Sequence, residues 1–344
     1  MKKWTKRLAA ISVAAYFCTG AIIAPVRVRA ENYVGAKAEC VMELSSRRVL
    51  YESRGDIRLP MASTTKILTA TTVLERCGNL QESVEIPAQA AGVEGSSVYL
   101  KAGDCYSVEE LLYGLMLRSG NDCAVALALH CSGSIRNFSS KMNETAQKAG
   151  AIDSRFANPH GLPSINHYTT ARDLSLITCY AMHNPVFREM VATRYYEPRG
   201  WRNKNKMLSL YEGAVGVKTG YTKEAGRCLV SAATRDKMTL VCTVLSCPTT
   251  YERSIKLLDD AFGAYRLEKI VGAEEVFSLC DGKIQAKTGK DLYYPLMTEE
   301  KDFLKIRVKE VKKSVKNDKS KEIVGQIKIY LAKQLLFSEN LYKL

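Results

Sequence analysis

The spacing of apolar residues changes several times along the chain, and each change predicts a different element. Residues 36–44 and 48–52 are short runs rich in apolar residues, separated by a Ser-Ser-Arg turn, which predicts a β-hairpin. From Ser63 to Cys77 the apolar residues follow helical spacing, and the pattern stops at Gly78. Ser63 is therefore predicted near the N-terminus of a helix.

Two further helices are predicted on either side of Ser119-Gly120-Asn121. The first begins at a capping box, Ser107-Val-Glu-Glu110, and runs to Leu117, whereas the second covers residues 123–130. Apolar runs at 215–222, 229–234 and 238–246, separated by Gly and charged turns, predict antiparallel strands. A second capping box at residues 249–252 predicts a closing helix to about Tyr265.

This order of elements predicts an α+β domain, with helices packed on a mixed, mainly antiparallel sheet. Beyond residue 272, segments such as 303–308 and 323–331 alternate Lys with β-branched residues, which predicts a small all-β domain. The length of 344 residues is compatible with two domains. We therefore expect a leader at 1–30, an α+β domain at 31–272 and a β-rich domain at 273–344.

The leader has the composition of a signal peptide. Four basic residues precede an apolar run from residue 8 to 24, and Val28-Arg-Ala30 fits a signal peptidase site. Cleavage after Ala30 would export the chain; the alternative is a leader retained as a membrane anchor. The last ten residues are too short and weakly patterned for a surface-bound amphipathic helix, so release from the membrane is expected.

Charge and cysteine content narrow the function classes. The net charge of +14 falls to +8 without residues 1–30, and no stretch interleaves aromatic with basic residues as a nucleic-acid groove would. Weak contact with anionic wall polymers or a membrane surface is the use expected for this charge.

Ten cysteines follow the leader without any C-x-x-C pair, so no disulfide framework can be assigned from their spacing. Five lie in apolar runs, where cysteine acts as a small buried hydrophobe: Cys77, Cys123, Cys179, Cys228 and Cys242.

Ser63-Thr-Thr-Lys66 is the strongest candidate for chemistry. Residues i and i+3 of a helix share a face, so the Lys66 amine can lie beside the Ser63 hydroxyl and act as its base. The four histidines show no H-E-x-x-H spacing and no G-x-S-x-G elbow is present, so neither a metal site nor a Ser-His-Asp triad is predicted. No cofactor is expected.

Three motifs occur in the order S-x-x-K, S-x-N, K-T-G, at residues 63–66, 119–121 and 218–220. This order is typical of penicillin-binding proteins and serine β-lactamases. Together with the segments at 60–66, 119–128, 158–163 and 216–222, it resembles the D-alanyl-D-alanine carboxypeptidase family. A second Lys-Thr-Gly at 287–289 lies among charged residues of the β-rich region and is interpreted as a polar turn.

The resemblance implies a β-lactamase/transpeptidase-like fold and an enzyme that removes the terminal D-alanine from peptidoglycan stem peptides and is acylated by penicillin. It implies that Ser63 is the nucleophile, that Lys66 is its base and that Ser119 relays a proton to the leaving amine. The remaining implied roles are substrate binding by Asn121, Lys218, Thr219, Gly220 and Tyr221, a carboxylate-binding Arg253, and His160 at the border of the site.

Three alternatives remain. A class A β-lactamase shares the motifs but needs a Glu-x-x-Leu-Asn segment, which is absent between Ser119 and Lys218. An endopeptidase acting on cross-links would use the same residues. A catalytically inactive wall-binding protein would not need a nucleophile beside a base.

Overall fold

The computed structural model describes residues 35–316 and 322–344, so the predicted leader lies outside the described residues. The α-helices are α1 Lys66–Arg76, α2 Val108–Leu117, α3 Asn121–Ser132, α4 Ile135–Ala149, α5 Ala171–Ala181, α6 Pro185–Ala192, α7 Met207–Leu210 and α8 Thr250–Ala264. Short 3₁₀ helices occupy Ala62–Thr65, Glu197–Arg199 and Thr298–Phe303.

The strands form one large sheet in the N-terminal part and another in the C-terminal part. They are β1 Ala38–Glu43, β2 Val49–Ser53, β3 Ser83–Glu85, β4 Cys105–Ser107, β5 Tyr195–Tyr196, β6 Trp201–Arg202, β7 Ala214–Thr222, β8 Gly226–Arg235, β9 Met238–Leu245, β10 Arg266–Val271, β11 Phe277–Leu279, β12 Ile284–Lys287, β13 Leu292–Leu296, β14 Leu304–Lys316, β15 Glu322–Leu331 and β16 Gln334–Lys343.

The larger N-terminal sheet has the order β2-β1-β9-β8-β7. All four of its strand pairs are antiparallel. Because side chains alternate between faces, Cys40 and Met42 of β1 pack with the helices α1 to α5, whereas Val41 packs with α8 on the opposite face. The predicted α+β class is confirmed, and β7 forms an edge of the sheet, where it borders the turn that carries Ser63.

Most of the predicted element boundaries agree with the structure. The hairpin is β1 and β2, the Ser107 capping box is formed, and the break at Ser119-Gly120 separates α2 from α3. The capping box predicted at 249–252 is wrong, because the Thr249 side chain makes no capping hydrogen bond although α8 begins at Thr250.

Across residues 273–316 and 322–344, the C-terminal part consists of strands and one 3₁₀ helix, as predicted. Its five-stranded sheet has the order β11-β12-β16-β15-β14, while β10 pairs with β13. Arg48 connects this part to the first hairpin by donating to the Pro295 carbonyl at 2.6 Å and pairing with Glu300. The exact boundary at 272 stays a prediction. Within residues 35–316 and 322–344, no helix is long and apolar enough to cross a bilayer.

Candidate active site

Ser63 lies in a tight turn directly before α1. The preceding residue, Ala62, has a positive φ of 51°, a conformation that residues with a Cβ rarely adopt and that occurs preferentially at functional sites. Two hydroxyls hold this turn: Thr64 donates to the Met61 carbonyl at 2.6 Å, and Thr65 donates to the Ala62 carbonyl at 2.8 Å. Ser63 itself is partly exposed, so its hydroxyl can meet a substrate.

The Lys66 amine is fully buried and lies beside three oxygen atoms. Its Nζ is 3.0 Å from Ser63 Oγ, 2.6 Å from Asn121 Oδ1 and 2.6 Å from the His160 carbonyl oxygen. A neutral amine has two N–H groups and one lone pair. If the two carbonyl oxygens accept the two N–H groups, the lone pair faces the Ser63 hydroxyl, which is the geometry of a general base.

Burial and a neighbouring cation favour this neutral form. The pKa of Lys66 lies well below its ordinary value, mainly because burial disfavours the charged ammonium and secondly because of the charge of Lys218. Lys218 is itself buried, and burial together with Lys204 lowers its pKa to about 7. The Lys218 amine donates to the Thr219 carbonyl at 3.0 Å.

Asn121 and Ser119 come from the junction between α2 and α3. The Asn121 amide nitrogen donates to the Glu94 carbonyl at 2.5 Å, which orients Oδ1 towards Lys66. Asp122 fixes the adjoining loop by accepting backbone N–H bonds from Val98 and Leu100. Ser119 is 5% exposed and has a positive φ of 64°, in the turn that leads into α3 and Asn121.

The edge strand β7 packs directly against the Ser63 turn. A Cβ on Gly220 would lie 3.1 Å from Ser63 N and 3.0 Å from the Met61 carbonyl oxygen, so this glycine is required for the close approach. Lys218 and Gly220 are on the face of β7 that points towards the turn. Tyr221, the next residue, is 65% exposed, which leaves this stretch of β7 open to a ligand.

The loop at residues 158–162 closes the side of the site that lies opposite β7. Asn158 Oδ1 accepts from the N–H of Gly161 at 2.7 Å, and its amide donates to the Leu162 carbonyl at 2.9 Å. Gly161 has a φ of +93°, and a Cβ there would lie 2.0 Å from the Ala62 carbonyl oxygen. His160 contributes its carbonyl to Lys66, whereas burial lowers the pKa of its ring to about 3.

His167 supports the nucleophile turn, and sequence reasoning missed it. Its Nδ1 accepts from the Ala157 N–H at 3.0 Å, so Nε2 carries the proton and donates to Thr65 Oγ1 at 2.8 Å. Burial lowers the pKa of His167 to about 4, which keeps the ring neutral. No motif marks this residue, because its partner Thr65 is 102 positions away.

Arg253, another predicted site residue, is held by side chains of β1 and β2. Its guanidinium forms two hydrogen bonds to Glu39, at 2.6 and 2.7 Å, and one to Tyr51 at 3.1 Å. Glu39 follows the register Val244, Leu229, Thr219 across the sheet, so its side chain lies on the α8 face, as that of Thr219 does. These contacts show that Arg253 neutralises a buried glutamate, and its binding of the substrate carboxylate stays a prediction.

The second Lys-Thr-Gly lies in the C-terminal part, at the end of β12. Lys287 pairs with Glu274, and Thr288 donates to the Lys290 carbonyl at 2.8 Å. Neither contact involves the Ser63 cluster.

Comparison with known proteins identifies the family of this chain. Residues 25–249 match the model of peptidase family S11, the D-alanyl-D-alanine carboxypeptidases. The chain belongs to this family. It is 31% identical over 279 residues to the D-alanyl-D-alanine carboxypeptidase DacF of Bacillus subtilis, covering 77% of this chain and 71% of the relative. It is 34% identical to the D-alanyl-D-alanine carboxypeptidase of Streptomyces sp. K15 over 73% of this chain and 98% of that protein.

Solved structures extend the similarity to the C-terminal part. Penicillin-binding protein 5 from Haemophilus influenzae superposes with a TM-score of 0.76 at 25% identity, covering 92% of this chain and 98% of that one. The Streptomyces K15 DD-transpeptidase superposes with a TM-score of 0.64 at 35% identity over 68% of this chain and 99% of that one. The family assignment makes this chain a serine-type peptidase, a hydrolase related to penicillin-binding proteins.

Proposed function

We propose that this carboxypeptidase removes the terminal D-alanine from peptidoglycan stem peptides through an acyl-enzyme on Ser63. The observation that carries the proposal is the buried Lys66 amine, 3.0 Å from Ser63 Oγ, with two carbonyl oxygens accepting its N–H groups. A lysine used only for structure would keep its charge and pair with a carboxylate. Here the pKa is lowered instead, as a base requires.

The reaction then follows from the positions of the groups. Lys66 takes the Ser63 proton as Oγ attacks the carbonyl carbon between the two D-alanines. The carbonyl oxygen becomes an oxyanion, which the N–H groups of Ser63 and Tyr221 stabilise on either side of the Gly220 contact. Collapse expels the D-alanine amine, protonated through Ser119 and Lys218. Lys66 then deprotonates a water molecule, which releases the peptide from Ser63.

Substrate binding uses the open part of β7. An extended stem peptide pairs with this strand next to Tyr221 and is held from the opposite side by the Asn121 amide. Thr219 and Lys218 face the terminal carboxylate. β-Lactams acylate the same serine, because their leaving group remains tethered to the acyl carbon.

The terminal carboxylate also needs a strong cation, and we assign this role to Arg227 in place of Arg253. Arg227 is exposed and lies directly opposite Tyr221 in the register of β7 and β8. Among the described residues, no carboxylate forms an ion pair with it. A long side chain reaches a diagonal neighbour across two strands, so its guanidinium can reach Thr219 and bind a carboxylate with two hydrogen bonds.

Penicillin labelling tests the proposal. We expect intact-mass spectrometry to show one drug molecule per enzyme, and peptide mapping to place it on Ser63. Ser63→Ala should abolish both the adduct and D-alanine release while leaving the circular dichroism spectrum unchanged. Ser209→Ala, a serine on the exposed side of α7, is the matched control and should label normally. A drug adduct on another residue would overturn the mechanism, and an enzyme that is never labelled would favour the inactive wall-binding alternative.

The free C-terminus separates the carboxypeptidase from an endopeptidase. We expect release of D-alanine from a diacylated D-Ala-D-Ala peptide and no cleavage of the same peptide amidated at its C-terminus. Efficient cleavage of the amidated peptide would favour endopeptidase action. Family members act on peptidoglycan in the cell envelope, and we propose that cleavage after Ala30 exports this chain there.

A further inference from the structure

Two cysteines lie in contact at the far ends of the helices that form the active site. Cys77 is the C-terminal cap of α1, and Cys131 lies in the last turn of α3. Their sulfur atoms are 2.9 Å apart, although the residues are 54 positions apart in the chain. This separation is less than 1 Å longer than a disulfide bond, so a small movement would join them.

The two thiols are also partly exposed to solvent, and their pKa values are shifted in opposite directions. Both side chains are partly exposed, whereas six other cysteines are buried: Cys40, Cys123, Cys179, Cys228, Cys242 and Cys247. The hydrogen bond between the two thiols lowers the pKa of Cys77 and raises that of Cys131. Cys77 is therefore the thiolate that reacts first, and Cys131 is the resolving thiol. In the part of the chain that the structure describes, no second pair of cysteine sulfurs makes such a contact.

We propose that Cys77 and Cys131 form a disulfide when the exported enzyme meets a disulfide oxidant. The Cys77 thiolate attacks one sulfur of the oxidant, releases one thiol and forms a mixed disulfide. The Cys131 thiol then loses its proton and attacks the Cys77 sulfur, which releases the second thiol. Two protein thiols become one disulfide, and one oxidant disulfide becomes two thiols.

The bond would join the two helices that present the catalytic groups. Ser63 and Lys66 precede or begin α1, and Asn121 begins α3, so the disulfide ties the opposite ends of both helices together. A cross-link between residues 54 positions apart restricts the unfolded chain strongly. We expect the oxidised enzyme to melt about 5 to 10 °C above the reduced enzyme, with the same rate of penicillin acylation at 25 °C.

The experiment oxidises the folded enzyme with glutathione disulfide, alkylates the remaining thiols and maps the peptides. We expect a cross-linked peptide pair carrying Cys77 and Cys131, lighter by two hydrogen atoms, while Cys105 accepts glutathione or the alkylating reagent. The melting temperature is then measured for the oxidised and reduced forms. Complete alkylation of both thiols, or glutathione retained on Cys77 in the wild type, would overturn the proposal.

Three variants separate the disulfide from a general effect of oxidation. Cys131→Ser should stop the reaction at the Cys77–glutathione adduct, and Cys77→Ser combined with Cys131→Ser should abolish the redox-dependent shift in melting temperature. Cys105→Ser changes an exposed cysteine elsewhere and should leave the cross-link and the shift intact. A shift that persists in the double variant, or is lost in Cys105→Ser, would contradict the assignment. None of these results depends on whether penicillin labels Ser63.

Discussion

Replacing Arg253 by methionine should destabilise the protein and leave its chemistry intact. Methionine keeps much of the side-chain length and removes the charge, so the buried Glu39 side chain would lose its main partner. The Glu39 side chain is only 5% exposed and accepts both hydrogen bonds of the guanidinium. The pKa of Arg253 is raised, mainly by its hydrogen bonds to Glu39, which agrees with a tightly coupled pair.

The expected loss can be derived from these contacts. Removing one partner of a buried ion pair costs about 3 to 5 kcal/mol, because the remaining charge is buried and uncompensated. Tyr51 still donates to Glu39 at 3.2 Å, which places the loss near the lower end, at about 3 kcal/mol. For a protein of this size, that corresponds to a fall in melting temperature of about 6 to 12 °C.

Thermal unfolding and penicillin acylation measured on the same samples test this prediction. Glu39→Leu combined with Arg253→Met removes both charges and should recover stability to within about 1 kcal/mol of the wild type. Lys256→Ala is the matched control on α8, since its pair with Asp260 is more than half exposed; it should change stability by less than about 0.5 kcal/mol. At a temperature below all melting transitions, Arg253→Met should be acylated within about twofold of the wild-type rate.

The opposite pattern would refute the reasoning. If Arg253→Met has the melting temperature of the wild type but loses most of its D-alanine release, the guanidinium reaches the substrate and the pair with Glu39 does not stabilise the fold. If the double variant is as unstable as Arg253→Met, the loss comes from packing and not from an unpaired charge.

Four further predictions concern the active site. Lys66→Ala should slow acylation about 100-fold or more. Lys218→Ala should shift the acid limb of the pH profile of acylation to higher pH, because the variant removes a charge that lowers the pKa of Lys66. An acid limb at the wild-type pH would contradict this coupling. The pKa of His167 is about 4 in the folded protein, compared with 6.5 for an ordinary histidine. Between about pH 6 and 4 the unfolded chain therefore binds a proton that the folded protein does not, and the free energy of unfolding falls by about 1.4 kcal/mol per pH unit as the pH is lowered. Melting curves of His167→Gln should show a shallower fall than the wild type, and equal slopes would exclude the effect. Arg227→Ala should lower kcat/KM for a diacylated D-Ala-D-Ala peptide roughly 30-fold or more, with Lys223→Ala, an exposed cation of the same hairpin, as the control; wild-type efficiency would reject Arg227.

The local part of the site could be predicted from the sequence because it depends on short spacing. Ser63 and Lys66 are three positions apart on one helical turn, so their contact follows from helix geometry. The capping box at Ser107 and the break at Ser119-Gly120 also involve neighbours in the chain, and both are formed. The capping box at 249–252 fulfilled the same pattern but failed, since Thr249 adopts a backbone conformation outside the extended region that a side-chain cap uses.

Contacts between distant segments were decided by the tertiary structure. The alternation of apolar residues predicted strands but not their order, so it could not show that Glu39 of β1 would lie beneath α8 and pair with Arg253. It also could not pair His167 with Thr65 or Cys77 with Cys131, because these partners are 102 and 54 positions apart. The sequence by itself determined that Ser63 and Lys66 lie side by side, because they share one helical turn. It also determined the class of fold, because the spacing of apolar residues within each segment predicts the type of element. The packing of helices against both faces of the sheet decided which cation can bind the substrate carboxylate and which thiols can form a disulfide. For such contacts, the separation of two residues along the chain carries no information about their distance in space.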